Sequence, residues 1–262
     1  MEEKRQQKRI LVLAVRAGEI MMKAGAEIYR VEDTITRICK SCGINYVDVF
    51  AMPTGIFVTM DKGFEEDDTY TYIRRIKSSS TDLNKISRVN EFSRRFTATD
   101  MTVEEGMKEL DAIEREKKYP IGIRVICASI CAGCFSVLFG GNAMDFGITF
   151  LSGAVCYSLS RLLAHAEVNF FIQGLCCTAL AAFIALVAAA SVPGAQYGMI
   201  ITGCIMLFVP GVAITNSIRD FLSGDIVSGL GRMAEAFLTA VSLAAGAGIV
   251  LKLWVMMGGI TL

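Results

Sequence analysis

The residues best placed to do chemistry in this chain lie in one stretch, LFVPGVAITNSIRDFLSGDIVSGLGRMAEA, residues 207–236. Pro210-Gly211 falls inside an apolar run. Proline removes a backbone donor and its ring crowds the preceding turn, so a helix should break or kink there. Broken spans present backbone carbonyls and helix ends, which transporters use to hold ions and solutes. Asn216, Arg219, Asp220, Asp225, Arg232 and Glu235 follow. Asn216 sits where apolar sequence turns polar, and its amide needs a partner. An arginine offers a forked cation for a carboxylate, and a neighbouring aspartate offers a group that carries a proton or a coupling charge. The same residues admit a plainer reading: a loop behind a kinked helix, with Arg219 and Arg232 as positive anchors at a membrane face. Ser223-Gly224 and Ser228-Gly229 interrupt the stretch, so one straight helix is not required.

Other candidates are sparser. Arg30 and Glu32 share a predicted helix and form either a polar site or an ordinary surface pair. Cys39 and Cys42 make one C-x-x-C, the spacing of a redox pair or half a zinc site. The other such spacing, Cys131-Ala-Gly-Cys134, lies inside an apolar run where cysteines read as packing residues, and the single histidine, His165, is far from Cys39 and Cys42 in sequence. Neither a metal nor a cofactor is expected. Glu65-Glu66-Asp67-Asp68 lacks the spacing of a calcium loop and reads as a solvated hairpin. The first half carries no Gly-x-Ser-x-Gly and no phosphate-cradling glycine loop, so the chain does not read as an enzyme. His165 is a lone interfacial histidine and needs no special role.

The elements that position these residues follow from an uneven charge distribution. The 262 residues carry 26 Lys+Arg, 26 Asp+Glu and 53% hydrophobic residues, with a mean hydropathy of +0.48. From Arg124 onward there are only five residues of each sign, leaving 21 of each before it. A charged N-terminal domain therefore precedes an almost uncharged half. This excludes a disordered chain, a secreted disulfide mini-protein and a polybasic nucleic-acid binder. The nine cysteines mostly lie in apolar runs and read as packing residues.

Residues 1–118 read as an α+β domain. Ile10, Leu13, Ala14, Ala17 and Met21 keep one helical face apolar, and Ile28, Val31, Ile35, Ile38 and Cys42 keep another. Gly25 separates the two, and Gly43 stands where a helix-ending glycine belongs. INYVDVFAM, TGIFVTMD and TYTYIRRI read as strands, divided by Pro53-Thr54-Gly55 and by Asp61-Lys62-Gly63. Two helices follow near 82–97 and 102–116, the second opened by a capping box, Thr102 with Glu105.

Residues 119–262 read as an all-α transmembrane bundle of five helices, near 121–140, 146–164, 168–192, 197–215 and 235–257. Each is near the 17–25 residues needed to cross about 30 Å of hydrocarbon. Lys117, Lys118, Arg161, Arg219 and Arg232 fall on one side of this arrangement. The rule that places positive loops inside then puts the N-terminal domain in the cytoplasm and the C-terminus outside, with Lys252 snorkelling. Small residues repeat every four positions at Ala240/Ala244/Gly248, Ala181/Ala185/Ala189 and Ala128/Ala132, which argues for close helix packing or an oligomer.

The chain resembles the threonine/serine exporter family of bacterial inner-membrane proteins. The resemblance rests on Gly18, Gly25-Ala26-Glu27 with Arg30-Val31-Glu32, Pro53-Thr54-Gly55 and Asp82-Leu83. It rests more specifically on Val209-Pro210-Gly211, Thr215-Asn216, Arg219-Asp220, Ser223-Gly224-Asp225, Ser228-Gly229, Arg232 and Glu235-Ala236. It implies a secondary exporter in the bacterial inner membrane. Single-chain members look like this chain fused to a second membrane region, so the chain looks like the larger subunit of a split system with a small multi-span membrane partner. The resemblance attaches threonine and serine to fused members and dicarboxylates such as succinate to split ones. Arg219 or Arg232 would then pair with the carboxylate of a small-molecule substrate, Asn216 would hydrogen-bond it, and Asp220 or Asp225 would carry coupling charge. With no nucleotide-binding motif in sight, an ion gradient or the substrate's own gradient would drive export. The competing reading is a membrane-anchored enzyme or sensor whose activity lies in the N-terminal domain. In a third, that domain is a gate over the cytoplasmic mouth.

Overall fold

The computed structural model describes residues 2–44, 46–61, 70–77, 79–116 and 119–258. The acidic run Glu65–Asp68, the Lys62-Gly63 turn and the anchors Lys117 and Lys118 lie outside the described residues. The chain divides into two compact units. The first comprises Met1–Lys117 with Val212–Met233, and the second Lys118–Gly211 with Ala234–Leu262.

In the first unit, α1 (Glu2–Lys23) and α2 (Ile28–Ser41) pack face to face. Their apolar positions, Leu13, Ala14, Ala17 and Met21 on α1 and Ile28, Val31, Ile35 and Ile38 on α2, are fully buried. Gly18 permits the approach, since a Cβ there would stand 2.5 Å from Ile35 Cδ1. The turn between the helices needs Gly25, whose φ is +82°, and Gly43 ends α2 at +81°. β1 (Tyr46–Met52), β2 (Gly55–Asp61) and β3 (Tyr70–Arg75) form an antiparallel meander in the order β1-β2-β3. Met52 pairs with Gly55 across Pro53-Thr54. Ile56, Val58 and Met60 point into the core, while Phe50, Phe57 and Ile73 sit side by side on the exposed face. α3 (Leu83–Ala98) starts on Asp82, and α4 (Val103–Glu114) starts on the expected Thr102/Glu105 capping box.

The second unit contains α5 (Ile121–Leu138), α6 (Ala143–His165), α7 (Phe170–Ser191) and α8 (Tyr197–Ile205). It also holds most of α10 (Ile226–Met256). α5, α6, α7 and α10 are long and apolar enough to cross a membrane. The fourth apolar segment, near 197–215, is not one helix but is broken, as Pro210-Gly211 within it implied. α8 has nine residues, a length of about 14 Å at 1.5 Å per residue, under half the hydrocarbon thickness. Helix resumes only at α9 (Gly211–Leu222). The break lies at Met206–Pro210, where proline cannot donate to the preceding turn.

α9 ends before Ser223-Gly224, with Gly224 at φ +92°. Ser228-Gly229, expected to interrupt the chain, instead lies within α10, which begins nine residues earlier than the apolar pattern suggests. Glycine is useful there for close packing: a Cβ on Gly229 would stand 3.0 Å from the Phe221 ring, and the Gly229 carbonyl accepts a bond from Ser217 Oγ at 2.8 Å.

Within the second unit the small residues do what their spacing implies on α5 and α7, where Ala132, Ala181 and Ala185 are buried. A Cβ on Gly203 would stand 2.6 Å from the Ala132 carbonyl. On α10 the packed face is a different one. Ser242 and Gly246 meet α7 near Gly174 and Thr178, and Ala240, Ala244 and Gly248 are exposed. The period of four was right, but both faces of α10 carry small residues at that period. Asp145 is fully buried and structural, accepting from the Gln196 and Asn142 amides at 2.8 and 2.9 Å.

Candidate substrate and coupling site

Four of the predicted residues converge inside the first unit, on the turn that joins α1 to α2. Asn216, on α9, donates from Nδ2 to the Gly25 carbonyl at 2.9 Å. Arg232, on α10, donates from Nη2 to the Ala26 carbonyl at 2.7 Å. Asp220, on α9, accepts from the Ile28 amide at 3.2 Å. Arg219 pairs with Glu27. Residues 25–28 are thus held one after another by side chains from about 190 positions away.

The local reason is the end of a helix. Ile28 opens α2, and the first amides of a helix have no partner within it. Glu27 occupies the N-cap position but makes no capping bond with its side chain. Asp220 supplies that acceptor instead, placing a carboxylate against the positive end of the α2 dipole.

Asp220 is fully buried. Its second oxygen, Oδ2, stands 3.3 Å from Arg232 Nε, an ion-pair distance without hydrogen-bond alignment. Among the described residues Oδ2 therefore has a compensating charge and no hydrogen-bond donor. Burial pushes the Asp220 carboxyl above the usual range. The Arg232 charge and the Ile28 amide oppose that, and Asp225 and Glu27 reinforce it.

Asp225 stands between α9 and α10, and burial raises it as well. Glu32, on α2, accepts from the Ala51 amide at 2.8 Å and so ties the helix to the β1 edge. Burial raises Glu32, the Ala51 amide opposes, and the nearby charge of Asp225 adds to the rise. Arg30 holds Glu27 Oε2 at 3.2 Å and donates from Nε to Tyr29 Oη, also at 3.2 Å. The pair and the group of four singled out from sequence as separate features, Arg30/Glu32 and Arg219/Asp220/Asp225/Arg232, are one cluster of four carboxylates and three guanidiniums, once Glu27 is included.

Not every candidate joins it. Glu235 is exposed on the part of α10 assigned to the second unit, and its carboxylate makes no ion pair among the described residues. Pro210 and Gly211 mark the helix break and supply no side chain to the cluster. Cys39 is a core residue whose thiol is pushed up to about 12, by burial first and Cys42 next. Among the described residues no group of three or more His, Cys, Asp or Glu could hold a metal ion. Glu27 and the backbone of residues 25–28 are the members of this cluster that residue-type reasoning missed. Their only sequence signal is the Gly25-Ala26-Glu27 motif itself.

Four helices of spanning length among the described residues, a broken apolar segment in the second unit and a buried ionic cluster within the first are features of a multi-pass membrane transport protein. Comparison with known families gives the particular class. Residues 12–254 match the family model described as "Putative threonine/serine exporter", and the chain belongs to that family. It is 24% identical over 258 residues to a "Probable threonine/serine exporter" of Mycobacterium tuberculosis, covering 97% of this chain and 47% of that protein. It is 22% identical to the "Threonine/serine exporter" of Corynebacterium glutamicum, covering 93% of this chain and 51% of that one. It is also 22% identical to the "Probable succinate transporter subunit YjjP" of Klebsiella aerogenes, covering 98% of both chains. The chain thus spans about half the length of the two amino-acid exporters and nearly all of the succinate transporter subunit. No solved structure matches it.

Proposed function

We propose that this chain is the larger subunit of a two-component secondary exporter in the bacterial inner membrane. It moves small carboxylate metabolites, either threonine and serine or dicarboxylates such as succinate, out of the cell. A small multi-span membrane partner completes it. The near-complete overlap with a relative named as a transporter subunit supports the two-component form. The names of the half-matched relatives support export of hydroxy amino acids. In this reading the first unit faces the cytoplasm, the C-terminus lies outside, and five crossings are retained. The apolar stretch at α8 and the break after it carry the fourth.

One observation carries the site assignment: the stretch 216–232 and the Gly25-Ala26-Glu27 motif meet in one ionic cluster. Arg219 is the residue for a substrate carboxylate, because its side chain is 50% exposed. Arg232 is nearly buried against Asp220 and the Ala26 carbonyl and holds the cluster together. Asn216 is likewise committed to Gly25. Asp220 and Asp225 are the groups whose charge can change, since burial raises both above their ordinary carboxylate value.

The test is efflux from cells that lack this chain and its partner, loaded with serine- and threonine-containing dipeptides or with succinate. Faster efflux only when both chains are restored supports the reading and names the substrate. Unchanged efflux across the panel, with both chains inserted in the membrane, sinks it.

A further inference from the structure

We propose that Arg30 and Arg219 form a two-guanidinium seat for the α-carboxylate of a zwitterionic amino acid, filled in this structure by Glu27. The inference rests on the export reading and specifies how its substrate is recognised. Glu27 is the unusual member of the cluster. Its side chain is 8% exposed, and it stands at an N-cap without capping. Its two oxygens go to different arginines, Oε1 to Arg219 and Oε2 to Arg30. Those arginines are 50% and 38% exposed, so both are open to solutes. The docking of α9 does not require this pair, because Asn216, Asp220 and Arg232 already clasp residues 25–28. A guanidinium fork recognises a carboxylate by geometry and charge, and a free carboxylate offers the same group as Glu27. Exchange of one for the other therefore conserves the charge at the two arginines.

The surroundings decide which carboxylate. Beyond the seat stand Asp220, which pairs with Arg232, and the carboxylates Asp225 and Glu32, which have no guanidinium partner among the described residues. That excess of negative charge attracts an ammonium group and repels a second carboxylate. A zwitterion such as serine fits this field, and succinate does not. Tyr29, exposed beside Arg30, adds an aromatic edge with a hydroxyl for a short polar side chain.

The purified full chain, titrated calorimetrically with L-serine and with succinate, tests the seat. Glu27→Gln removes the internal competitor and keeps its shape, so serine affinity should rise about threefold to tenfold, within the range expected for losing two half-exposed ion pairs. Arg219→Gln and Arg30→Gln should each lower it by tenfold or more. Succinate should bind the wild type at least tenfold more weakly than serine. Thermal unfolding confirms that each variant folds, and Arg30→Gln serves if Arg219→Gln does not. Unchanged or weaker serine affinity in a folded Glu27→Gln chain overturns the seat, as does tighter binding of succinate. If that happens while efflux persists, export stands without this seat. If neither solute is bound nor exported, the export reading falls with it.

Discussion

Replacing Arg232 with alanine isolates the energetics of the cluster. Arg232 is 11% exposed and faces a fully buried Asp220. Removing one partner of a buried ion pair costs about 3–5 kcal/mol, because the remaining charge is stranded. The lost bond to the Ala26 carbonyl adds about 1 kcal/mol. Asp220 is already raised by burial, so part of this cost is escaped by taking up a proton. A net loss of about 3 kcal/mol is expected near neutral pH. At roughly 2–4 °C per kcal/mol for a chain of this size, the unfolding midpoint should fall by about 6–12 °C. Adding Asp220→Asn removes the stranded charge and keeps Oδ1 as acceptor for the Ile28 amide. The double variant should regain about half of the loss, about 1.5 kcal/mol, and the coupling between the two neighbours is that figure plus whatever Asp220→Asn costs alone. Thermal unfolding of the purified protein at constant detergent and pH measures all four corners of the cycle. A double variant as unstable as Arg232→Ala alone refutes the reasoning.

Three further outcomes follow from the same contacts. Asp220, Asp225 and Glu32 are all raised, so the folded state binds their protons more readily than the unfolded chain does. Their stabilisation is full below the ordinary carboxylate value of about 4 and is lost as pH rises through the raised values. Glu19 works oppositely: burial pushes it up, but Arg74 and Lys23 together hold it down, so its contribution is lost on acidification. Comparing the wild type with Asp220→Asn/Asp225→Asn/Glu32→Gln between pH 5 and 8 should therefore show the variant losing less stability as pH rises. Gly18→Val should destabilise the first unit by about 1–3 kcal/mol, since its Cβ meets Ile35, whereas Gly122→Val, in open space, should not. Cys39, buried with its thiol raised to about 12, should resist maleimide at neutral pH until the chain is unfolded, as peptide mass mapping would show.

Much of the fold was legible because periodicity reports burial directly. The apolar positions of α1 and α2, the alternation of β2 and the Thr102/Glu105 capping box follow local rules, and each lies where those rules put it. The break before Gly211 was legible for the same reason, since proline acts on its own turn. What sequence reasoning could not give was pairing across about 190 residues. Nothing in the spacing of Asn216, Asp220 and Arg232 says that their partners are backbone groups of the turn at Gly25. Local patterning also misplaced the packed face of α10, where two stripes of small residues share one period and only tertiary contacts choose between them. The same limit applies to Ser228-Gly229: a serine-glycine pair reads as a breaker until Phe221 and Ser217 are seen to need the glycine's bare backbone.

The most direct test of the account is efflux by cells carrying Arg219→Ala or Asp225→Asn alongside the membrane partner, with insertion checked by immunodetection in the membrane fraction. The cluster should make both variants at least tenfold slower than wild type at equal abundance. Wild-type efflux from both, at equal abundance in the membrane, would contradict a role for this cluster in transport.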